Sequence, residues 1–289
     1  MAEPEVDRPC APSDAVLPCR RPWWARGLAL GVMIPLMGFI GLTGSTLWGE
    51  WRSLREAQVD ERESAIVGYV NINPNPNYAA SPPDWHHDEG TDSLLWAGWK
   101  EGEHRWFRFG RGDLAGLRLS WPIGRDSIQA IDHPIFEREG GACWVRIPAE
   151  AQVAGFEAGG RAVAYPIKVL NKVEVVNDLV ADRAVLVVQN PDVEPISIFD
   201  STLDGRRVTL GHSGYFVGKL PLLYDRGTQS LWAESGEEGT MTAVAGPRKG
   251  AALRRIARVN PIPWSEWLAS HPDGVLVAGA DRSKAPPVD

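Results

Sequence analysis

The chain has 289 residues, of which 44% are hydrophobic and 23% charged, so it is long enough to bury a substantial apolar core. That composition excludes a wholly disordered protein. Acidic residues outnumber basic ones by 37 to 30, which gives a net charge of -7, and no cluster of Lys and Arg is interleaved with aromatic residues. We therefore expect no nucleic-acid partner.

The first predicted element is a transmembrane helix at residues 27–49, which follows a Pro- and acid-rich cytoplasmic tail at residues 1–26. The segment GLALGVMIPLMGFIGLTGSTLWG contains 23 residues and no charge, about the length of a helix that crosses a bilayer. Tryptophans flank both of its ends, and three arginines precede it: Arg20, Arg21 and Arg26. A cleaved signal peptide is the alternative, but the run is long for one and its small-residue cleavage site is a weak match.

The arginines before the helix place the N-terminus in the cytoplasm and the main domain in the periplasm or outside the cell. We accordingly expect a single-pass protein of the cell membrane, with the lipid bilayer as a partner through residues 27–49. Cys143 is then the only exported cysteine, so no disulfide can form within the exported part of one chain. Its apolar neighbours predict a packed, unreactive thiol.

After the helix, residues 50–92 are predicted as a charged stalk followed by a Pro- and Asn-rich linker. Residues 93–124 form a β-rich extension with three apolar runs, for which a hairpin is the simplest arrangement: LLWAGW, HRWFRFGRG and LRLSWP.

Residues 125–279 carry the strongest β pattern, and residues 280–289 form a C-terminal tail. The candidate strands are RAVAYPIKVL, AVLVVQ, PISIFDSTL, RRVTLGHSG and TMTAVAG. Asp204-Gly205 predicts a tight turn between two of them. The segment at residues 263–272, with proline near its start and end, predicts a short helix. We therefore expect an α+β, mainly β extracytoplasmic domain preceded by one transmembrane helix.

Candidate chemistry is concentrated in a few polar side chains within apolar segments. Glu174, Asp178 and Asp225 are carboxylates whose burial would raise the pKa toward the range of a general acid, and His212 could serve as a base. The alternative is a structural hydrogen-bond network in which Arg226 pairs with a carboxylate. His86, His87 and Asp88 are adjacent and would point to opposite faces of a strand, so we expect a solvated loop and no metal site there.

Six motifs from about Arg125 to Gly279 resemble the family known as domain of unknown function 3179, found in bacterial and often membrane-anchored proteins. They are DSIQAIDHPIFE, AYPIKVLNKVEVVND, VTLGHSGYF, LLYDRGTQSLW, AVAGPRKGAAL and WSEWLASHPDGVLV. The resemblance implies a site at the loop after the strand VLVVQ. Many members have Cys-Pro-Leu-Cys in that loop and Trp-His-Glu before Ile-Val-Asn-Asp, residues suited to thiol redox chemistry or a soft metal.

This chain departs from the family pattern at that site. Asn190 and Val193 stand at the cysteine positions, and Lys172 and Val173 replace the Trp and His. Neither Asn nor Val forms a thiolate, so we expect a degenerate site that binds rather than reacts. The predicted ligand-binding residues are Asn177, Asn190, Asp192, Tyr224, Arg226 and Trp232.

Two functions follow as hypotheses from these residues. The first is a membrane-anchored extracytoplasmic binding or structural module, whose partner is a small molecule or another membrane protein and whose cofactor is unknown. The second is an enzyme that uses Glu174, Asp178, Asp225 or His212 for acid-base or metal-assisted chemistry. The two are distinguished by whether those four side chains meet in one cleft.

Overall fold

The structure is a computed structural model that describes residues 81–100, 102–120, 122–139, 147–190, 193–235 and 239–281. These ranges contain 18 strands and two helices, which confirms the prediction of a mainly β domain. Within them, neither helix has the length and apolarity that a bilayer span requires. The predicted membrane helix at residues 27–49, the stalk and Cys143 lie outside the described residues.

Most of the elements are short strands, and both helices have seven residues. In chain order the strands are β1 His86–Glu89, β2 Asp92–Lys100, β3 Glu103–Gly110, β4 Pro134–Glu137, β5 Gln152–Ala158, β6 Arg161–Pro166, β7 Val175–Val180, β8 Arg183–Asn190, β9 Val193–Asp200, β10 Thr202–Leu203, β11 Arg206–Arg207, β12 Leu210–Val217, β13 Leu220–Asp225, β14 Leu231–Ser235, β15 Thr240–Ala245, β16 Ala252–Val259, β17 Ile262–Pro263 and β18 Val275–Ala280. The helices are α1 Ile167–Val173 and α2 Trp264–Ser270.

The N-terminal sheet contains β1, β2 and β3 in antiparallel order, so the hairpin predicted from LLWAGW and HRWFRFGRG is present. The third run, LRLSWP, contributes only an isolated bridge between Leu119 and Val217. His86, His87 and Asp88 lie in β1 rather than in the solvated loop that the sequence predicted. The alternating directions of neighbouring strand residues still separate their side chains.

The segment RAVAYPIKVL was predicted as one strand, but it divides into β6 and helix α1 at Pro166. Proline has no backbone N–H to continue a sheet ladder, and its φ of -61° is suited to the residue before a helix. The helix then buries Val169, Leu170 and Val173 against the neighbouring strands. Tertiary packing of this apolar face outweighs the strand preference of the β-branched residues.

Two other local predictions are confirmed. Asp204 and Gly205 join β10 to β11 with φ values of 50° and 72°, as a two-residue hairpin turn with two left-handed residues requires. The predicted helix at residues 263–272 is α2, which begins directly after Pro263.

Eight strands form the main sheet in the order β12-β13-β14-β15-β16-β9-β8-β7. All eight contribute to one apolar cluster: Val175, Leu186, Val188, Phe199, Leu210, Leu223, Trp232, Met241, Ala243 and Leu253, joined by Val208. The two end strands also meet, since Asn177 of β7 forms hydrogen bonds with Leu210 of β12, which the ends of a flat sheet could not do. The sheet therefore curls into a barrel whose interior is packed with side chains.

The outer surface of the barrel is covered by two further layers. The five-stranded sheet β17-β5-β6-β18-β4 and both helices pack on the outward side chains of β7, β8 and β9. The N-terminal sheet packs on the outward side chains of β12, β13, β14 and β15. Three apolar cores therefore support one barrel, and a buried polar network lies where its edge strands meet.

Candidate functional site

The barrel has a gap between its edge strands β7 and β12, which we call the seam. Asn177 of β7 bridges it: its side-chain oxygen accepts from the Leu210 N–H at 2.9 Å, and its Nδ2 donates to the Leu210 carbonyl at 2.8 Å. With these two bonds, the side-chain amide takes the place of the pair of backbone hydrogen bonds that two facing residues exchange in an antiparallel sheet. The side chain is almost fully buried. It joins β7 to β12 and so closes the barrel in place of a backbone hydrogen-bond ladder between these two strands.

Residues 123–133, the seam segment, fill the rest of this gap. On one side, the N–H groups of Ile123 and Asp126 donate to carbonyls of β12 at 3.0 and 2.8 Å. On the other side, Ile131 exchanges backbone hydrogen bonds with β7 at 3.0 and 2.7 Å. The segment therefore acts as an irregular strand that satisfies both barrel edges.

A buried charged cluster, the seam cluster, lies at this junction and consists of Asp126, Asp132, Tyr224 and Arg226. Arg226 Nη1 donates to Asp126 Oδ2 at 3.1 Å and to the Tyr224 hydroxyl at 2.7 Å. Arg226 Nε lies 2.9 Å from Asp132 Oδ2, but its N–H does not point at that oxygen. The Tyr224 hydroxyl also donates to Asp126.

Burial and charge shift the pKa values of this cluster. Desolvation raises the pKa of Asp132, the nearby charge of Asp126 adds to the increase, and Arg226 opposes it. Burial also raises the pKa of the Tyr224 phenol well above its ordinary value, so it remains a neutral donor. Burial disfavours the charge of Arg226, but the surrounding carboxylates raise its pKa, so it remains charged.

A second polar pair bridges the seam, between Glu174 and His212. Glu174 Oε2 lies 2.9 Å from His212 Nε2, and the imidazole is 1% exposed against 13% for the carboxylate. The Gly214 N–H points at His212 Nδ1 at 3.4 Å, which assigns the ring proton to Nε2 in the neutral imidazole. Both ring nitrogens are therefore engaged within the protein.

Glu174 reaches this position because it ends helix α1 in the left-handed region, with φ of 57°. Its N–H donates to the Leu170 carbonyl at 2.7 Å, as in a common helix C-cap. Glycine is preferred there, since a residue with Cβ costs about 1–2 kcal/mol in this conformation. A glutamate at such a strained position is therefore a candidate for a functional role.

The Glu174–His212 pair lies near one end of the barrel, which we call the mouth. The β8–β9 and β12–β13 hairpins lie at this end, since Asn190 Nδ2 donates to the Lys219 carbonyl at 2.6 Å. Because neighbouring strands are antiparallel, β14 ends and β15 begins at the same end. The Phe216 ring lies 5.3 Å from the His212 ring there.

Three further polar side chains meet inside the barrel near the mouth. Ser197 of β9 donates to Glu234 Oε1 of β14 at 2.6 Å, although two strands separate β9 from β14 in the sheet order. Arg255 of β16 donates to the same oxygen at 3.2 Å. The side chains of Glu234 and Arg255 are 15% and 13% exposed, so this pair combines charge with limited solvent access.

Asp178 and Asp225 lie apart from the Glu174–His212 pair. Asp178 accepts from the Tyr165 hydroxyl at 2.7 Å on the outer side of β7, where burial raises the pKa of both groups. Asp225 accepts from the Trp232 indole at 3.0 Å and from Thr228, whose N–H lies at 2.6 Å. The four candidate catalytic side chains therefore do not share one cleft.

The predicted ligand-binding residues also divide into separate groups. Asn177, Tyr224 and Arg226 belong to the seam, and Asn190 belongs to the mouth. Trp232 lies in the barrel interior and holds Asp225. Asp192 lies outside the described residues. The predicted ligand-binding residues therefore do not form one site: some belong to the polar network at the seam, and Asn190 belongs to the partly accessible mouth.

Asn190 and Val193, the positions predicted to correspond to the family's cysteines, lie beside the mouth. Asn190 pairs with Val193 across the β8–β9 hairpin, and the Gln189 N–H donates to the Glu174 carbonyl at 2.8 Å. Gln189, the last residue of VLVVQ, therefore adjoins Glu174. Among the described residues, no three His, Cys, Asp or Glu side chains form a group that could hold a metal ion.

Sequence reasoning missed the seam carboxylates and the polar residues opposite the Glu174–His212 pair. Ser197, Glu234 and Arg255 occupy inward positions of their strands, each two residues from an apolar core residue. This alternation is visible in the sequence. Their partnership is not, because it depends on closure of the barrel.

The family model described as protein of unknown function, DUF3179, matches residues 125–285, which include the barrel, most of the seam segment and both helices. No curated protein and no solved structure shows significant similarity to the chain.

Proposed function

The chain belongs to the DUF3179 family, and we propose that it acts as a binding module at the cell envelope, with the barrel mouth as its contact site. In this proposal the apolar segment at residues 27–49 anchors the module in the membrane. The domain then lies on the extracytoplasmic side.

The separation of the candidate catalytic residues is the observation that favours binding over catalysis. A general acid and base must reach the same reacting group. Asp178 and Asp225 are instead held by Tyr165 and Trp232, away from the mouth. His212, which is near the mouth, already uses both ring nitrogens in contacts within the protein.

The mouth supports a role in binding because it combines polar groups with an apolar floor. Glu174, Glu234 and Arg255 are charged and partly accessible, and the barrel core lies beneath them. Ligand sites often lie in the mouths of β-barrels, where a few polar groups fix a ligand over apolar walls. We expect a small polar molecule with hydrogen-bond donors and acceptors, or a polar segment of a membrane-protein partner.

The test is to extract the full chain from membranes in mild detergent and identify bound small molecules by mass spectrometry. Glu174→Gln and Glu234→Gln remove charge at the mouth but keep an oxygen acceptor for His212 or Arg255. We expect a molecule that co-purifies with the wild type to be lost from these variants. Asp113→Asn is the control, because Asp113 pairs with Lys249 in a surface-exposed contact.

Equal retention by all variants would place the ligand elsewhere. If no small molecule is found, a photo-crosslinking residue at position 190 tests for a protein partner instead. The proposal fails if crosslinks from that position are no stronger than crosslinks from the exposed position 182, which lies in the β7–β8 turn at the opposite end of β8.

The localisation is tested separately with a reporter that is active only outside the cytoplasm, fused after Asp289. We expect activity outside. Activity only inside the cell would reverse the orientation, and a mature N-terminus just after Ser45 would show that the apolar segment is a cleaved signal.

A further inference from the structure

The N-terminal sheet is joined to the barrel around Trp96 of β2. The Tyr215 hydroxyl of β12 donates to the Trp96 carbonyl at 2.7 Å, and the Arg125 N–H of the seam segment donates to the Ala97 carbonyl at 2.8 Å. The Trp96 ring also packs against the seam segment, since a methyl group on Gly124 would lie 3.7 Å from it. Trp96 is therefore central to the contact between this sheet and the barrel.

The indole of Trp96 depends on one histidine for its hydrogen bond. Only 1% of Trp96 is exposed, and its N–H donates to Nδ1 of His104 on β3 at 3.0 Å. An indole nitrogen can donate a hydrogen bond but cannot accept one. Nδ1 must therefore present its lone pair, so His104 is neutral and carries its ring proton on Nε2.

Uptake of a proton by His104 removes this acceptor. His104 is exposed, so its ring can take up a proton from solvent. Both ring nitrogens of a protonated imidazole are donors, so Nδ1–H would then point at the indole N–H. The imidazole can turn toward water, but the Trp96 N–H stays in a buried position, where a donor without a partner is costly. Opening of the contact around Trp96 gives this N–H access to water and relieves that cost.

Three tryptophan rings surround the imidazole. The His104 ring lies edge-on to Trp99 with 4.6 Å between ring centres, and 6.2 Å from Trp106. The charged or titratable residues around the Trp96–His104 contact are the chain neighbours of His104, one residue each of β1 and β2, and one of the seam segment: Glu103, Arg105, His87, Lys100 and Arg125. Lysine and arginine carry no acceptor, and Glu103 alternates to the opposite face of β3. The lone pair of His104 therefore sets the sign of the pH effect.

We infer that the N-terminal sheet is a pH-sensitive cover of the barrel, held in place while His104 is neutral and loosened from the seam segment when His104 is protonated. Histidine is the side chain whose charge changes between about pH 5 and pH 8. The open form binds the proton and the closed form excludes it from Nδ1, so the attachment of the sheet weakens as pH falls through that range. This inference concerns the outer surface of the barrel and does not depend on a ligand at the mouth.

Hydrogen exchange of the full chain in mild detergent, measured from about pH 8 to pH 5 and corrected for intrinsic exchange rates, tests the cover. The reporting amides are those of Trp96 and Arg125, which donate to the Trp85 and Ala97 carbonyls. We expect their protection to fall by about tenfold across this range, because the buried indole loses its acceptor. Unchanged protection would overturn the inference. So would an equal loss at the Val208 amide in the barrel, because it would indicate global unfolding instead.

Two variants of His104 identify the group that takes up the proton. His104→Asn places a side-chain oxygen near the Nδ1 position and does not titrate in this range, so both reporting amides should stay protected down to about pH 5. His104→Ala leaves the indole without an acceptor at every pH, and should show the lower protection already at about pH 8. Persistence of the wild-type pH dependence in His104→Asn would refute the assignment to His104.

His87→Gln is the matched control on the same face of the sheet. His87 also contacts the Trp106 ring, at 5.0 Å, but its Nδ1 donates to the Asp84 carbonyl at 2.9 Å. Protonation does not remove that bond, because Nδ1 already carries a hydrogen. The control should therefore keep the wild-type pH dependence, and loss of the dependence in this variant would place the titrating group at His87 instead.

Discussion

Replacement of Asn177 by Ala removes the side chain that joins β7 to β12 across the seam. It leaves three buried groups without their partner: the Leu210 N–H, the Leu210 carbonyl and Asp132 Oδ1. Each such group costs about 1–3 kcal/mol, and such costs are not fully additive, so we expect the free energy of unfolding to fall by about 3–6 kcal/mol. That is a large part of the ~5–15 kcal/mol that stabilises a typical domain.

The measurement is denaturant unfolding of the full chain in mild detergent, followed by circular dichroism and tryptophan fluorescence. Asn171→Ala is the matched control, because Asn171 is exposed and accepts a long hydrogen bond from Gln189 at 3.3 Å. We expect the control to change stability by less than ~0.5 kcal/mol. If Asn177→Ala loses less than about 1 kcal/mol, the side chain does not close the barrel and the role assigned to the seam is wrong.

Three further changes test the packing and charges around the barrel. Gly211→Ala places Cβ 2.6 Å from a seam carboxylate and should lower stability by about 1–3 kcal/mol, whereas Gly227→Ala, with 3.6 Å to its nearest neighbour, should be tolerated in the same melting experiment. Trp232→Phe removes the indole N–H that Asp225 accepts, and denaturant unfolding should show a loss of about 1–3 kcal/mol. Asp178→Asn should flatten the fall in stability as pH rises, because burial raises the pKa of Asp178 in the folded state; a pH profile identical to that of the wild type would contradict this.

Much of the local structure could be predicted from the sequence because its causes are local. Runs of β-favouring residues predicted β8, β9 and β15, and Asp204-Gly205 predicted the turn between β10 and β11. The error at β6 and α1 has a physical reason, since apolar residues on both sides of Pro166 fit a strand or a short helix equally well. Packing against the sheet decides between them.

The candidate site was predictable in its parts but not in its connections. The sequence by itself determined that Glu174, Asn177 and His212 are polar residues within apolar segments, and that Asn190 and Val193 cannot act as thiolates. Only the tertiary structure decided that Asn177 meets Leu210, that Glu174 meets His212, and that Asp178 faces the opposite side of β7. The reason is barrel closure, which brings together strands far apart in the chain and turns alternate residues of one strand to opposite faces.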